Sequence, residues 1–212
     1  MNRGALVTLE GGEGAGKSTV LAAVRDALAA HGLNVEVTRE PGGTALGEAV
    51  RALVLDPAHA GLCAESELLL MFASRAQLVR ERIEPALARG DWVLSDRFTD
   101  ASFAYQGGGR GQPGQRIAEL ESWAAGIRPD LTLLLDLPVE QGLARTQARG
   151  EPDRIEGEQA AFFERVRARY RERAAAEPER FRVIDASREV EHVRDDALAA
   201  IDAFVLAWRA GQ

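Results

Sequence analysis

The 212 residues carry 26 Lys and Arg against 33 Asp and Glu, a formal charge of −7, and 46% of them are hydrophobic. That length suits one α/β domain with a substantial core and leaves no room for a separate motor or regulatory module, while basic residues dispersed along an acidic chain disfavour a nucleic-acid partner. The single cysteine, Cys63, excludes an internal disulfide, no apolar run approaches the roughly 20 residues of a membrane span, and the N-terminus runs into an apolar strand without a signal-like pattern, so a soluble cytoplasmic protein with no membrane partner is expected.

The run Ala5-Leu6-Val7-Thr8-Leu9 reads as a first strand. It delivers the chain into Gly11-Gly12-Glu13-Gly14-Ala15-Gly16-Lys17-Ser18-Thr19, which fits G-x-x-x-x-G-K-[ST] between a strand and a helix. Glycines at 11, 12, 14 and 16 let the backbone curl with its N–H groups inward, and a helix over about 17–31, closed by His31-Gly32, adds its positive dipole end. This is a phosphate-binding loop. Lys17 can reach the β- and γ-phosphates of a nucleotide, and the Ser18 hydroxyl, with Thr19 the nearest alternative, can complete the coordination of Mg2+.

A second strand near 35–38 ends in Thr38-Arg39-Glu40-Pro41-Gly42-Gly43-Thr44. The tight Pro-Gly-Gly loop can present the Arg39 guanidinium to a phosphate; the same residues also suit a plain strand-to-helix turn with Thr44 as N-cap of a helix over 44–55. In a long helix over 65–89, ended by Arg89-Gly90, Met71, Phe72 and Arg75 occupy neighbouring turns, as a core stripe or as the wall of a site. The third strand, 92–95, runs into Asp96-Arg97-Phe98. A carboxylate at such a strand end holds Mg2+ or its water in many P-loop proteins, and the adjacent Arg97 suits an acceptor phosphate. An Asp96–Arg97 ion pair is the structural alternative, weakened because neighbours on an extended segment point to opposite faces. After them, Ser102, Tyr105, Gln106 and the glycines up to Gly111 suggest a pocket for a base and a sugar.

A helix over 113–125, a strand over 131–136 and a helix over 139–149 lead to Arg145–Glu156, RTQARGEPDRIE. This segment reads as a lid whose Arg149 and Arg154 can close over phosphates and exclude water, or as a solvated charged loop. A helix over 158–176, a strand over 181–184 and a helix over 189–209 complete an alternation that specifies an α/β fold with a parallel sheet, the site lying along the carboxyl edge of the strands. Residues 1–212 are expected to form one domain with the lid at about 145–156.

In combination, LEGGEGAGKST, TREPGGT, LLLMFASRAQ, SDRF, AYQGGGRG, RPDLTLLLDLP and RGEPDRIE occur in the order and spacing of the bacterial thymidylate kinases, which the chain resembles from about residue 5 to 185. The resemblance implies a three-layer P-loop nucleotide kinase fold, a five-stranded parallel sheet flanked by helices with a short lid, and γ-phosphoryl transfer from Mg-ATP to dTMP. Carried over by position, it implies that residues 11–19 bind ATP, with Lys17 and Ser18 on its phosphates and magnesium, that Arg39 and Arg97 hold the dTMP phosphate, and that Asp96 organises metal and water. Glu13 would lie near the acceptor's 3′-hydroxyl and phosphate. Arg75 and Ser102 would hydrogen-bond the thymine, Phe72 would stack on it with Met71 as the alternative, Gln106 would line the pocket, and Tyr105 would exclude a ribose 2′-hydroxyl. Gly14 stands where one branch of the family has an arginine, so the lid must supply that cation through Arg149 and Arg154, as in the enterobacterial type. A homodimer through helices including the segment near 65–89 is implied as well. Two rivals remain: a kinase of another acceptor, and a P-loop switch, which as a GTPase would ordinarily carry N-K-x-D, a motif absent here.

Overall fold

Short apolar runs separated by amphipathic stretches leave the strands no route to pair except side by side in the same direction, with helices as crossovers. The computed structural model describes residues 3–147 and 153–211. Its strands are β1 (Leu6–Gly11), β2 (Val35–Arg39), β3 (Trp92–Asp96), β4 (Leu131–Asp136) and β5 (Phe181–Asp185), all parallel in the order β2-β3-β1-β4-β5. β1 is central, and the register sets Leu9 beside Asp96 and Asp96 beside Arg39. Three neighbouring strands therefore end nearly level with one another, and the loops leaving them meet at one edge of the sheet.

The helices are α1 (Lys17–Ala30), α2 (Ala45–Leu55), α3 (Ala64–Leu78), α4 (Glu84–Ala88), α5 (Thr99–Ser102), α6 (Gly114–Leu120), α7 (Val139–Gln147), α8 (Ala160–Ala176) and α9 (Val190–Ala210). Alternate residues of the central strands serve opposite faces. Val7, Leu9, Leu133 and Leu135 pack under α1 and α9 with Val24, Leu28, Ile201 and Val205, whereas Leu6 faces Leu78, Ile83 and Phe98, and Leu134 faces Phe163, Val166 and Tyr170. The expected C-caps form as Schellman turns: Gly32 at φ 76° lets Leu33 N–H reach Leu28 C=O, and Gly90 at φ 86° lets Asp91 N–H reach Ala86 C=O.

Two helical segments differ from the sequence expectation. The helix expected over 65–89 is not regular: a π-turn at Val79–Ile83 separates α3 from α4, because Pro85 has no N–H to give and its ring crowds the carbonyl four residues back. The run from Ser102 to Gly109, given no helix by the sequence, is helical, α5 continuing through a π-helical Phe103–Gly109. Its glycines serve packing. A Cβ on Gly108 would meet Arg165 C=O at 2.7 Å and one on Gly109 the Phe162 ring at 2.4 Å, so their absence lets this segment lie directly on α8. Among the described residues, no helix is long and apolar enough to cross a membrane.

Candidate active site

The phosphate loop is shaped by backbone that only glycine adopts freely: Gly11, Gly14 and Gly16 have φ of 145°, 70° and 84°. Ala15 anchors the loop in the core, and Gly16 begins α1 with no side-chain cap, leaving the first N–H groups of that helix for an anion. Lys17 Nζ donates to the carbonyls of Gly11 and Gly12 at 3.2 and 3.1 Å, folded over the loop it serves. Burial and then the neighbouring Arg97 lower the pKa of its ammonium, with Glu13 and Asp96 acting the other way. Glu13, Gly14, Gly16, Lys17 and Ser18 share one cavity with Arg39, Glu40, Arg51, Asp96 and Arg97, so the loop, the β2 end and the β3 end converge as the register requires. Thr19 is exposed on the first turn of α1. Thr44 does cap α2, accepting Gly47 N–H at 3.0 Å, and Arg39 still reaches the cavity, paired at its rim with Glu48.

Asp96 and Arg97 do not pair with each other. Arg97, at φ 72°, turns back to donate Nη1 to Gly11 C=O at 2.9 Å and Nη2 to Glu13 Oε1 at 2.9 Å, its guanidinium 4.7 Å over the Tyr105 ring. A left-handed conformation at a non-glycine residue is strained, and here the contacts on three sides hold it. Asp96 keeps Oδ1 buried with no partner in the same cavity as Ser18. Tyr105 donates its hydroxyl to Glu13 at 2.8 Å, and burial raises its pKa well above the ordinary value, so it stays a donor. Beneath Arg97, Tyr170 donates to Glu10 Oε2 at 2.6 Å, and Phe98 N–H donates to Glu10 Oε1 at 2.7 Å. Burial first and then Asp100 push the Glu10 carboxyl up to about 8.

A second cavity opens from the first, sharing Glu13, Glu40, Arg51 and Arg97 with it and extending over Val54, Leu55, Met71, Ala101, Tyr105 and Gln106 to Asp153, Ile155 and Glu156. Of the pair on α3, Met71 lines this space. Phe72 is buried in a cluster with Leu68, Phe103 and Ile117, its ring 4.5 Å beneath the Arg75 guanidinium. Arg75 is wholly buried; it donates Nε to Glu40 Oε2 at 2.7 Å, Nη1 to Ser102 Oγ at 3.0 Å and Nη2 to Phe98 C=O at 3.0 Å. The geometry thus places Arg75 and Ser102 together one layer behind the wall, and Phe72 behind Arg75.

Arg154 departs from the sequence expectation. It does not face the phosphate loop: its Nη2 pairs with Glu67 at 2.6 Å and its Nε donates to Val54 C=O at 2.6 Å, because a fully buried carboxylate on α3 offers it a stronger partner than solvent does. Arg149 lies outside the described residues. Gly14 has no space for a side chain: a Cβ there would meet Gly142 C=O of α7 at 2.3 Å.

A family model described as Thymidylate kinase matches residues 9–197. The chain is similar to curated thymidylate kinases of Alkalilimnicola ehrlichii, 53% identical over all of this chain and 98% of that one, and of Chromohalobacter salexigens, 56% identical over 98% of this chain and all of the other. The chain belongs to the thymidylate kinase family. It is a kinase of the ATP-dependent class that phosphorylates dTMP, and its five-stranded parallel sheet is the fold of that family. In this thymidylate kinase, three residues in or behind the cavity walls are not singled out by the sequence motifs. Arg51 of α2 lines both cavities and donates to Pro41 C=O at 3.2 Å. Glu40 compensates Arg75, although it lay unremarked inside TREPGGT. Glu67 precedes Met71 by four residues and Arg75 by eight, and that helical spacing was the signal that could have found it.

Proposed function

We propose that the two joined cavities hold the phosphates of ATP and the nucleotide dTMP, and that the γ-phosphoryl group passes in line from ATP to a dTMP phosphate oxygen. The observation that carries this reading is the convergence of Lys17, Arg39, Arg51 and Arg97 on one space that opens into a base-sized cavity walled by Met71, Tyr105 and Gln106. Four cations beside such a cavity suit a donor and an acceptor that are both phosphorylated. An ionised acceptor phosphate is already nucleophilic, so the site needs no strong base; positioning and charge neutralisation lower the barrier.

In this reading residues 11–19 cradle the ATP phosphates, Lys17 neutralises charge at the β- and γ-groups, and Arg39 and Arg97 hold the dTMP phosphate, with Arg51 added to them. Glu13 fixes Arg97 and Tyr105 and approaches the sugar, where the Tyr105 ring opposes a 2′-hydroxyl. Arg75 and Ser102 orient the base end from behind Met71, and Gln106 lines it. Arg149 is the lid cation of the reading. Ser18 and Asp96 would hold Mg2+, whose preference for hard oxygen ligands fits the unpartnered buried Asp96 Oδ1, and it would supply positive charge to offset that of the phosphates. The chain works as a single kinase domain over 1–212 with its lid at about 145–156, in a reducing cytoplasm where exposed Cys63 stays a free thiol.

The test is ADP release from Mg-ATP with dTMP, dUMP, dCMP, dGMP, UMP and thymidine each offered as acceptor. Stimulation by dTMP above the others, with dTDP as product, is expected; preference for another acceptor overturns the pocket assignment. A homodimer is also proposed, on the support of Leu69 and Trp123, 59% and 79% exposed on α3 and after α6. Light scattering should give twice the chain mass, and Trp123→Glu should halve it.

A further inference from the structure

Glu67, fully buried on α3, accepts hydrogen bonds from Gln106 Nε2 at 2.9 Å, Arg110 Nε at 3.1 Å and Arg154 Nη2 at 2.6 Å. Each donor arrives from a different part of the site. Gln106 lines the dTMP cavity, Arg110 follows the π-helical segment and also pairs with Glu158, and Arg154 stands between Asp153 and Ile155, which close the side of that cavity. Arg154 also binds the end of α2, donating Nε to Val54 C=O at 2.6 Å and its backbone N–H to Leu55 C=O at 2.9 Å. A guanidinium on the last carbonyls of a helix meets their partial negative charge, and Arg51, Val54 and Leu55 of that helix wall the same cavity. The four elements that enclose the acceptor therefore share one ion pair.

We infer that Glu67 is a positioning residue that couples the dTMP cavity to the segment Asp153–Glu156 closing its side, through Gln106 on one hand and Arg154 on the other; the inference rests on the reading of that cavity as the dTMP site. A carboxylate offers only acceptors, so Gln106 must turn its amide nitrogen to Glu67, leaving its Oε1, buried and without a partner, for a donor. Thymine carries such a donor at N3, whereas cytosine presents an acceptor there. Loss of the Glu67 charge leaves Arg110 with Glu158 but leaves Arg154 without a counterion in a dry site. The 153–156 segment then loses its seat, the acceptor binds less well, and water reaches the donor: its oxygen bonds to the γ-phosphorus as the bond to ADP breaks, giving ADP and inorganic phosphate with a proton released to solvent.

The experiment compares the full chain with Glu67→Gln, Arg154→Gln and the double variant, measuring KM for dTMP and for ATP, kcat, the ratio of ADP to dTDP formed, and the melting temperature. Each single variant should raise KM for dTMP about tenfold or more while KM for ATP stays within about twofold, should lift the ADP to dTDP ratio above one, and should not add to the other in the double variant. Unchanged KM for dTMP with a ratio of one, equal rises in both KM values, or additive effects overturn it. If Glu67→Gln does not fold, Arg154→Gln decides by the same readouts, since it leaves Glu67 bound to Arg110 and Gln106. A wild-type chain that releases no ADP in response to dTMP overturns the dTMP reading of the cavity, which is a separate failure.

Discussion

The phosphate end and the acceptor end of this site touch, sharing Glu13, Glu40, Arg51 and Arg97, yet they are built differently. At the phosphate end the shape is made by backbone, with glycines at positive φ, a helix start and strand ends held level by the sheet register. The side chains there bind mainly the loop they serve, Lys17 on Gly11 and Gly12 and Arg97 on Gly11 and Glu13. At the acceptor end the walls come from α2, α3, α5 and the segment after 153, held by buried charge pairs such as Arg75–Glu40 and Arg154–Glu67. Removing a side chain from the first region should remove function and spare stability; removing one from the second should take both.

The largest expected effect tests the second half of that contrast. Arg75→Ala strips the partner from Glu40, whose side chain is only 2% exposed, and should lower the unfolding free energy by about 3–5 kcal/mol in denaturant titration. A loss below about 1 kcal/mol would mean that Glu40 takes up a proton and the pair is not what holds the wall. Lys17→Ala addresses the first half: turnover should fall at least about a hundredfold with the melting temperature nearly unchanged, and comparable losses of turnover and stability would erase the distinction. Tyr105 lies on the border. Tyr105→Ala should weaken discrimination between dTMP and its ribose analogue, measured as a ratio of kcat/KM values, and unchanged discrimination removes that ring from the sugar contact.

The smallest effect is on pH dependence. Glu10 has its pKa pushed from 4.5 to about 8 by burial and by Asp100, so the folded chain keeps a proton that the unfolded chain gives up. Stability from this group is fully present below pH 4.5 and declines as pH rises toward 8. Glu10→Gln, which mimics the protonated acid, should flatten that decline. Unfolding curves at pH 5 and 8.5 with the same slope in both proteins would show that Glu10 is ionised throughout.

The same contrast explains how much of the molecule is legible in its sequence. Strands, their parallel arrangement and the phosphate end can be read because each depends on neighbouring residues: a strand, a glycine turn and Lys17-Ser18 come one directly after another, and Asp96-Arg97 ends a strand. The acceptor end depends on partners far apart in the chain. Glu67 and Arg154 are 87 positions apart, so no local pattern marks their pairing, and Arg154 reads as one more lid cation. Gly107 to Gly109 mislead for a related reason: glycine signals either a turn or a close approach, and only the presence of α8 against it decides which.

The contact between the phosphate loop and α7 also bears on how such a site can change over generations. A Cβ on Gly14 would lie 2.3 Å from Gly142 C=O, and one on Gly142 would lie 2.4 Å from Glu13 C=O, so the backbone of the facing element blocks a side chain at either position. A side chain cannot enter the loop at position 14 by substitution alone, since the step at either position drives a side chain into the facing backbone. Position 14 therefore opens to other residues only after α7 has shifted, and the placement of a helix sets which descendants of this loop can be reached.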